Sequence, residues 1–408
     1  MELYDLNSWW KTGSIPKEYK EMERRELFKE IIKYIEDRQI ISIVGLRRVG
    51  KTVLLYHVID FLLRKTKKEN ILYYTYDLFE DKSIEEILDL YSSTIEVDIK
   101  KDKVFVFLDE IQKHKGWERE IKLLYDTHKN IKFFISGSNS LFMTKESLAG
   151  RLYSFELMPL SFKEYLKLKK ISHDYKLYKE ELEEELNAYM KTGGFPELMY
   201  EKDDAKIKKY VKELIVDRIA YIDIPSAFDV EEPELLTTLI SIISSNPGML
   251  FDYDSIASDL KRNRKTISNY IFYLEKAFLI KKLYNFSKSR ITSEKKLKKI
   301  YPSTSALAFL YSAELGKIIE TLFLQNYSST FFYRKQDKEI DFVNKFPTEI
   351  KYQEKITKQD WKSMKYFMKL FNFDKGLMIT KDLEKNIKFD DKEIFLMPLL
   401  KYLVQNEK

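Results

Sequence analysis

A chain of 408 residues with 44% apolar and 33% charged positions can bury several cores; it cannot be one small module, a collagen-like repeat or a wholly disordered chain, and two to four domains are expected at ~100–200 residues each. No cysteine and 4 histidines exclude a disulfide scaffold, a zinc finger and an iron–sulfur site, leaving oxygen ligands for any metal. Lys+Arg 71 against Asp+Glu 65 gives +6, a mild excess that admits a nucleic-acid partner without requiring one.

From the N-terminus, MELYDLNSWW lacks a basic stretch followed by an apolar one. Apolar runs such as Val104 to Leu108 are far below the ~20 residues that span a bilayer. A cytoplasmic protein without a membrane partner is expected. From about residue 20 to 150, amphipathic segments (Glu21 to Ile35, Thr52 to Leu63) alternate with short apolar runs (Ile40 to Val44, Ile71 to Thr75, Val104 to Leu108, Ile131 to Ser136). That alternation predicts a parallel sheet flanked by helices.

The first run leads directly into Gly45-Leu46-Arg47-Arg48-Val49-Gly50-Lys51-Thr52 and a helix from Val53. Strand, Gly-x-x-x-x-Gly-Lys-Thr and helix make a phosphate loop: the glycines let successive N–H groups face phosphate oxygens, and the helix N-terminus adds its positive end. Residues Gly45 to Val53 are the expected ATP-binding segment, with Lys51 on the β/γ-phosphates and Thr52 on Mg²⁺. The third run ends in Asp109-Glu110, where Asp109 would hold the metal's water shell and Glu110 would act as general base. After the fourth run, Ser138 and Asn139 are candidates to touch the γ-phosphate, or else form a plain turn. Arg151 is either an arginine finger, supplied in cis or by a neighbour in a homo-oligomer, or a salt-bridge residue.

Residues 161 to 223 are helical and charge-rich, broken by Thr192-Gly193-Gly194-Phe195-Pro196, and read as a helical lid. Beyond Pro233, the helix Asp254 to Leu260, the basic turn Lys261-Arg262-Asn263-Arg264 and a helix with Ile267, Ile271 and Leu274 on one face lay out a helix-turn-helix. Ala277 to Tyr284 supplies strand-like runs for a wing. Such a module is expected to contact DNA; the alternative is a protein-contact or lid module.

The last hundred residues form a second α/β unit. Glu320 lies on an amphipathic helix, Asp341 on one strand of a hairpin, and Glu349 and Lys351 alternate with Ile350 so that both face one way. Asp341 and Glu349 could bind one or two Mg²⁺, Glu320 could complete the metal shell and Lys351 could position or deprotonate a water; the alternative is a set of surface salt bridges.

The phosphate loop, Leu108-Asp109-Glu110, Ser136-Gly137-Ser138, Gly150-Arg151 before Leu157-Met158-Pro159-Leu160-Ser161-Phe162, Gly193-Gly194-Phe195-Pro196 and Glu339-Ile340-Asp341-Phe342-Val343 together resemble the archaeal and bacterial AAA-type ATPases that carry a C-terminal domain of unknown function. The resemblance covers nearly the whole chain. It implies an α/β P-loop ATPase domain (1–157), a helical lid (158–232), a winged helix (233–292) and a domain similar to PD-(D/E)xK nucleases (293–408). By that resemblance the family's acidic positions fall on Glu320, Asp341 and Glu349, and its lysine on Lys351. Two departures stand out: the link between Asp341 and Glu349 is short for the nuclease motif, and Pro302-Ser303-Thr304-Ser305 replaces a segment where members often carry an acidic residue.

The expected function is ATP hydrolysis coupled to DNA binding, with metal-dependent cleavage by the C-terminal domain. Two alternatives remain open: DNA binding without cleavage, and a nucleotide-driven signalling or scaffold switch with protein partners.

Overall fold

The structure, a computed structural model, describes residues 3–77, 82–138 and 148–405. The chain forms two compact units, Met1–Met158 and Pro159–Lys408.

In the first unit β1 (Ile40–Val44), β2 (Ile71–Thr75), β3 (Val104–Asp109), β4 (Ile131–Gly137) and β5 (Leu152–Glu156) make one sheet in the order β2-β3-β4-β1-β5. Every pairing is parallel. The first four strands are buried along their whole length, as continuous apolar runs covered on both faces must be. Phe107 and Phe134 stack between neighbouring strands with centroids 4.3 Å apart. β5 has no such signal, because its residues are only half-buried. The sheet order brings the C-terminal ends of β1, β4 and β3 side by side, and that edge is where parallel α/β sheets present ligand-binding loops.

The helix expected over Glu21 to Ile35 is shorter. Only Leu27–Ile31 is α-helical, followed by a tight turn at Ile32–Tyr34. Arg25 is the reason: its buried guanidinium donates to the carbonyls of Val49 at 2.8 Å and Met158 at 2.9 Å. That anchors the approach to the phosphate loop and holds residues 23–25 outside any helix.

The second unit contains β6 (Met249–Phe251), β7 (Ile280–Asn285), β8 (Lys298–Pro302), β9 (Phe331–Lys335), β10 (Lys338–Val343), β11 (Pro347–Lys351), β12 (Lys375–Thr380), β13 (Lys385–Phe389) and β14 (Lys392–Pro398). They run in the order β13-β14-β12-β11-β10-β9-β7-β8-β6. The three segments expected beyond residue 158 lie together in this unit. β7 joins them: antiparallel to β8 on one side, it pairs parallel to β9 on the other through Tyr284↔Phe331 and Asn285↔Phe332.

The helices read from the sequence as a lid, Phe162–Leu168 and Lys179–Thr192, share this unit's hydrophobic core. Phe162, Tyr165, Leu182, Leu186 and Tyr189 cluster with Phe323, Phe342 and Leu399. Their apolar stripe finds its partner in the C-terminal half of the chain, where burial at roughly 25 cal/mol per Å² of apolar surface fixes them. The Gly193-Gly194 turn is part of the same construction. Thr304 Oγ1 donates to the Gly193 carbonyl at 2.8 Å, Gln325 Nε2 donates to it at 2.9 Å, and the Leu160 N–H donates to the Gly194 carbonyl at 2.8 Å.

Among the described residues no helix is long and apolar enough to cross a membrane.

Candidate nucleotide site and acidic cluster

At the end of β1 the chain turns into the loop Gly45–Gly50 and the helix Lys51–Leu62. A Cβ on Gly45 would sit 2.0 Å from the Leu157 carbonyl oxygen, so only glycine lets the loop pass β5's end that closely. Gly50 adopts φ 96° at the helix start, a left-handed value that favours glycine. Leu46 and Val49 are fully buried and hold the loop from below, while Arg47 and Arg48 are half-buried. Lys51 is buried, and its ammonium donates to the carbonyls of Gly45 and Leu46, each at 3.2 Å. Val53 is half-buried in the first turn of the helix.

The adjacent strand end completes the group. Thr52 Oγ1 donates to Asp109 Oδ2 at 2.6 Å. Asp109 also accepts from Tyr73 Oη at 2.9 Å and from the Ser136 hydroxyl. Burial, then the like charge of Glu110, pushes the Asp109 carboxyl above the usual range, and the hydrogen bonds from Ser136, Thr52 and Tyr73 oppose that rise. Lys51 Nζ lies 3.8 Å from Glu110 Oε1. A hydroxyl and a carboxylate in contact at a helix N-terminus are the hard oxygen donors that Mg²⁺ prefers, so this donor set fits the ion.

Nothing in the local sequence marks Tyr73 and Ser136 as partners of Asp109. Both lie on strands that flank β3, so their signal is in the strand order. Gln112, two residues beyond Glu110, is equally unmarked; its Nε2 reaches Glu110 Oε2 at 2.5 Å and Ser138 Oγ at 3.2 Å. Asn139 lies outside the described residues. Arg151 is bound within its own unit: Nε and Nη2 each lie 3.0 Å from the Asp126 carboxylate.

In the second unit, Glu320, Asp341 and Glu349 are brought together. The helix Leu315–Asn326 buries Glu320, and the β10–β11 hairpin pairs Phe342 with Thr348, so the short link still brings Asp341 and Glu349 together. Asp341 N–H donates to Glu349 Oε2 at 3.3 Å and Ile350 N–H to Asp341 Oδ2 at 3.0 Å. Cations then enter the cluster. Lys351 Nζ is 2.9 Å from Glu349 Oε1, and Lys317 Nζ is 2.8 Å from Glu320 Oε1. Lys299, which no local sequence signal marks, lies 2.5 Å from Glu339 Oε1 and 3.5 Å from Asp341 Oδ1. Tyr301 Oη donates to Glu320 Oε2 at 2.9 Å.

Burial, then the charge of Asp341, raises the carboxyl of Glu349 to about 8 and raises that of Glu320 as well; Lys351 and Lys317 respectively are the first of the lysines to oppose these rises. Burial pulls Lys299 down, but Asp341, Glu339 and Glu320 outweigh it and hold the amine charged. Among the described residues no group of three or more acidic or histidine side chains is disposed to hold a metal ion. In this structure Lys351, Lys317 and Lys299 supply the positive charge that faces these carboxylates.

An AAA-domain family model matches residues 37–166, and a model for a domain of unknown function (DUF8612) matches 183–310. An uncharacterized protein of Methanocaldococcus jannaschii is 31% identical over 323 residues, 74% of this chain and 71% of that protein. This chain belongs to the AAA-type P-loop ATPases. An uncharacterized protein of Haemophilus influenzae is 28% identical over 360 residues, covering 82% of this chain and 86% of its own length.

Two solved structures bear a looser likeness to this AAA-type chain. The Aeropyrum pernix Orc1 protein in complex with DNA aligns with a TM-score of 0.35 at 12% identity, over 74% of this chain and 92% of that one. AMPPCP-bound DnaA from Aquifex aeolicus aligns with 0.30 at 16%, over 61% and 86%. Scores this low give these likenesses no weight for function.

In the middle segment, where a helix-turn-helix is expected, the chain forms two capped helices. Asp252 caps Tyr253–Asp259 and Asn263 caps Arg264–Lys276, each side chain accepting from backbone N–H groups of the first turn. Ile267, Tyr270, Ile271 and Leu274 are buried, while Lys265, Ser268, Asn269 and Phe272 are exposed along the opposite face. β6, β7 and β8 form an antiparallel ribbon in the order β7-β8-β6. Arg262 pairs with Glu232 and Arg264 with Asp254.

Proposed function

We propose that this protein hydrolyses ATP with Mg²⁺ at the loop Gly45–Thr52 and binds DNA through the exposed face of the helix Arg264–Lys276. The observation that carries the first half is the meeting of Thr52 with Asp109 at 2.6 Å beside Lys51 and Glu110. Loop N–H groups and Lys51 bind the phosphates, Thr52 and Asp109 hold Mg²⁺ with its water shell, and Glu110 takes the proton of the attacking water. Mg²⁺, when bound, neutralises charge that develops on the phosphate oxygens.

The DNA reading rests on the second half of the geometry. A capped helix with an apolar inner face and Lys265, Ser268 and Asn269 outward, backed by an antiparallel ribbon, has the layout of a winged helix-turn-helix; its cation suits phosphate positioning and its polar groups suit base edges. We read the unit as binding DNA without cutting it. Cleavage is the second reading, favoured by the convergence of Glu320, Asp341, Glu349 and Lys351, and it requires a divalent ion where lysines now balance the carboxylates.

One assay series separates these readings: binding of the full chain to labelled duplex across a salt series, with and without ATP, beside incubation of plasmid DNA with Mg²⁺ or Mn²⁺. Affinity that falls with salt, a shallower slope by about one in Lys265→Ala and intact plasmid are expected. Strand breaks lost in Glu349→Gln establish cleavage. Failure to bind DNA at any salt leaves a nucleotide switch with protein partners.

A further inference from the structure

Gln112 is a half-buried residue whose two amide ends are treated differently by their surroundings. It lies in the tight turn Ile111–Lys113 that follows β3. Before that turn, Glu110 takes φ 51° and ψ 41°, a left-handed conformation that carries strain of order 1–3 kcal/mol in a non-glycine residue. The residue is held there by its own N–H, which donates to Asp109 Oδ1 at 3.1 Å and to Ser136 Oγ at 3.2 Å. The abrupt turn places the Gln112 side chain across that of Glu110.

The Nε2 end donates to Glu110 Oε2 at 2.5 Å and to Ser138 Oγ at 3.2 Å. A carboxylate only accepts, so this contact fixes which end of the amide faces Glu110. Oε1 is buried and, among the described residues, has no hydrogen-bond partner. A buried carbonyl left unpaired costs about 1–3 kcal/mol. It therefore calls for a donor beside the general-base carboxylate, and the donor that hydrolysis brings to that place is the attacking water.

We propose that Gln112 is the positioning residue for that water, an inference that rests on the hydrolysis reading above. Nε2 holds Glu110 and Ser138 at a fixed separation, and Oε1 accepts one O–H of the water, which leaves the other O–H for Glu110. The water oxygen forms its bond to the γ-phosphorus as the bond from that phosphorus to the β–γ bridging oxygen breaks. The electron pair leaves on ADP, and the water's proton passes to Glu110. An amide oxygen suits this task because it directs a water without competing for its proton.

The test uses the full chain and reads turnover and nucleotide affinity separately. In Gln112→Ala, kcat should fall by ~10²-fold, while the Kd for ATP with Mg²⁺ stays within about 2-fold, because the Gln112 amide N–H groups bond Glu110 and Ser138 rather than the phosphate loop. Gln112→Asn, which keeps the amide on a shorter stem, should lie between the two. A Gln112→Ala kcat within about 3-fold of the parent overturns the proposal, as does a parallel loss of affinity, which would mark a merely structural role. If the unaltered protein turns over no ATP, with or without DNA, the hydrolysis reading itself fails and this proposal fails with it.

Discussion

Lys299 and Glu339 meet at 2.5 Å in a core where Lys299 is 1% exposed. β8 thereby delivers a permanent cation to the carboxylates that β10, β11 and the helix Leu315–Asn326 gather. Removing one partner from a buried ionic group leaves uncompensated charge, which is destabilising by about 3–5 kcal/mol. Lys299→Met should lower the second unit's stability by that amount in urea unfolding at neutral pH. A change under about 1 kcal/mol would mean that Lys317 and Lys351 suffice.

The carboxyl of Glu349, raised from 4.5 to about 8, gives a pH dependence of definite sign. Between those values the folded state holds a proton that the unfolded state has released, so stability falls as pH rises through the window and levels above about 8. Hydrogen exchange of peptides covering 338–351, corrected for intrinsic rates, should show more protection at pH 5 than at pH 8. In Glu349→Gln the difference should shrink; an unchanged difference would assign it to another group.

At the phosphate loop the two variants divide binding from turnover. Lys51→Ala should abolish nucleotide binding, whereas Glu110→Gln should bind ATP normally and lose ~10²–10⁴ in kcat. Equilibrium titration with a fluorescent nucleotide beside steady-state phosphate release checks both. Undiminished hydrolysis in Glu110→Gln would remove Glu110 from the role of base.

Gly193→Ala probes the turn that ties the helix Lys179–Thr192 to the segment 304–306. Its φ is +62°, and a Cβ would sit 2.2 Å from Thr304 Oγ1 and 2.8 Å from the Ala306 nitrogen. Overpacking against backbone costs typically 1–3 kcal/mol, so a lower thermal midpoint with unchanged nucleotide affinity is expected. A neutral substitution would show that the 304–306 segment yields.

The sequence by itself determined the local chemistry of the first unit. Continuous apolar runs could only be buried parallel strands, and Gly45 to Thr52, Asp109 and Glu110 follow them at spacings that a strand-loop-helix dictates. It also determined that Glu349 and Lys351 share a face, since strand period is two. Tertiary structure decided the partners. Tyr73 and Ser136 reach Asp109 only because β2 and β4 flank β3 in the sheet, and β5 went unread because half-buried strands carry little periodic signal. Lys299 joins Glu339 and Asp341 across some forty residues of chain, and the helices read as a lid find their apolar partners more than a hundred residues later. Local pattern says which face of an element is apolar or charged; what covers that face is a long-range matter of packing and charge pairing.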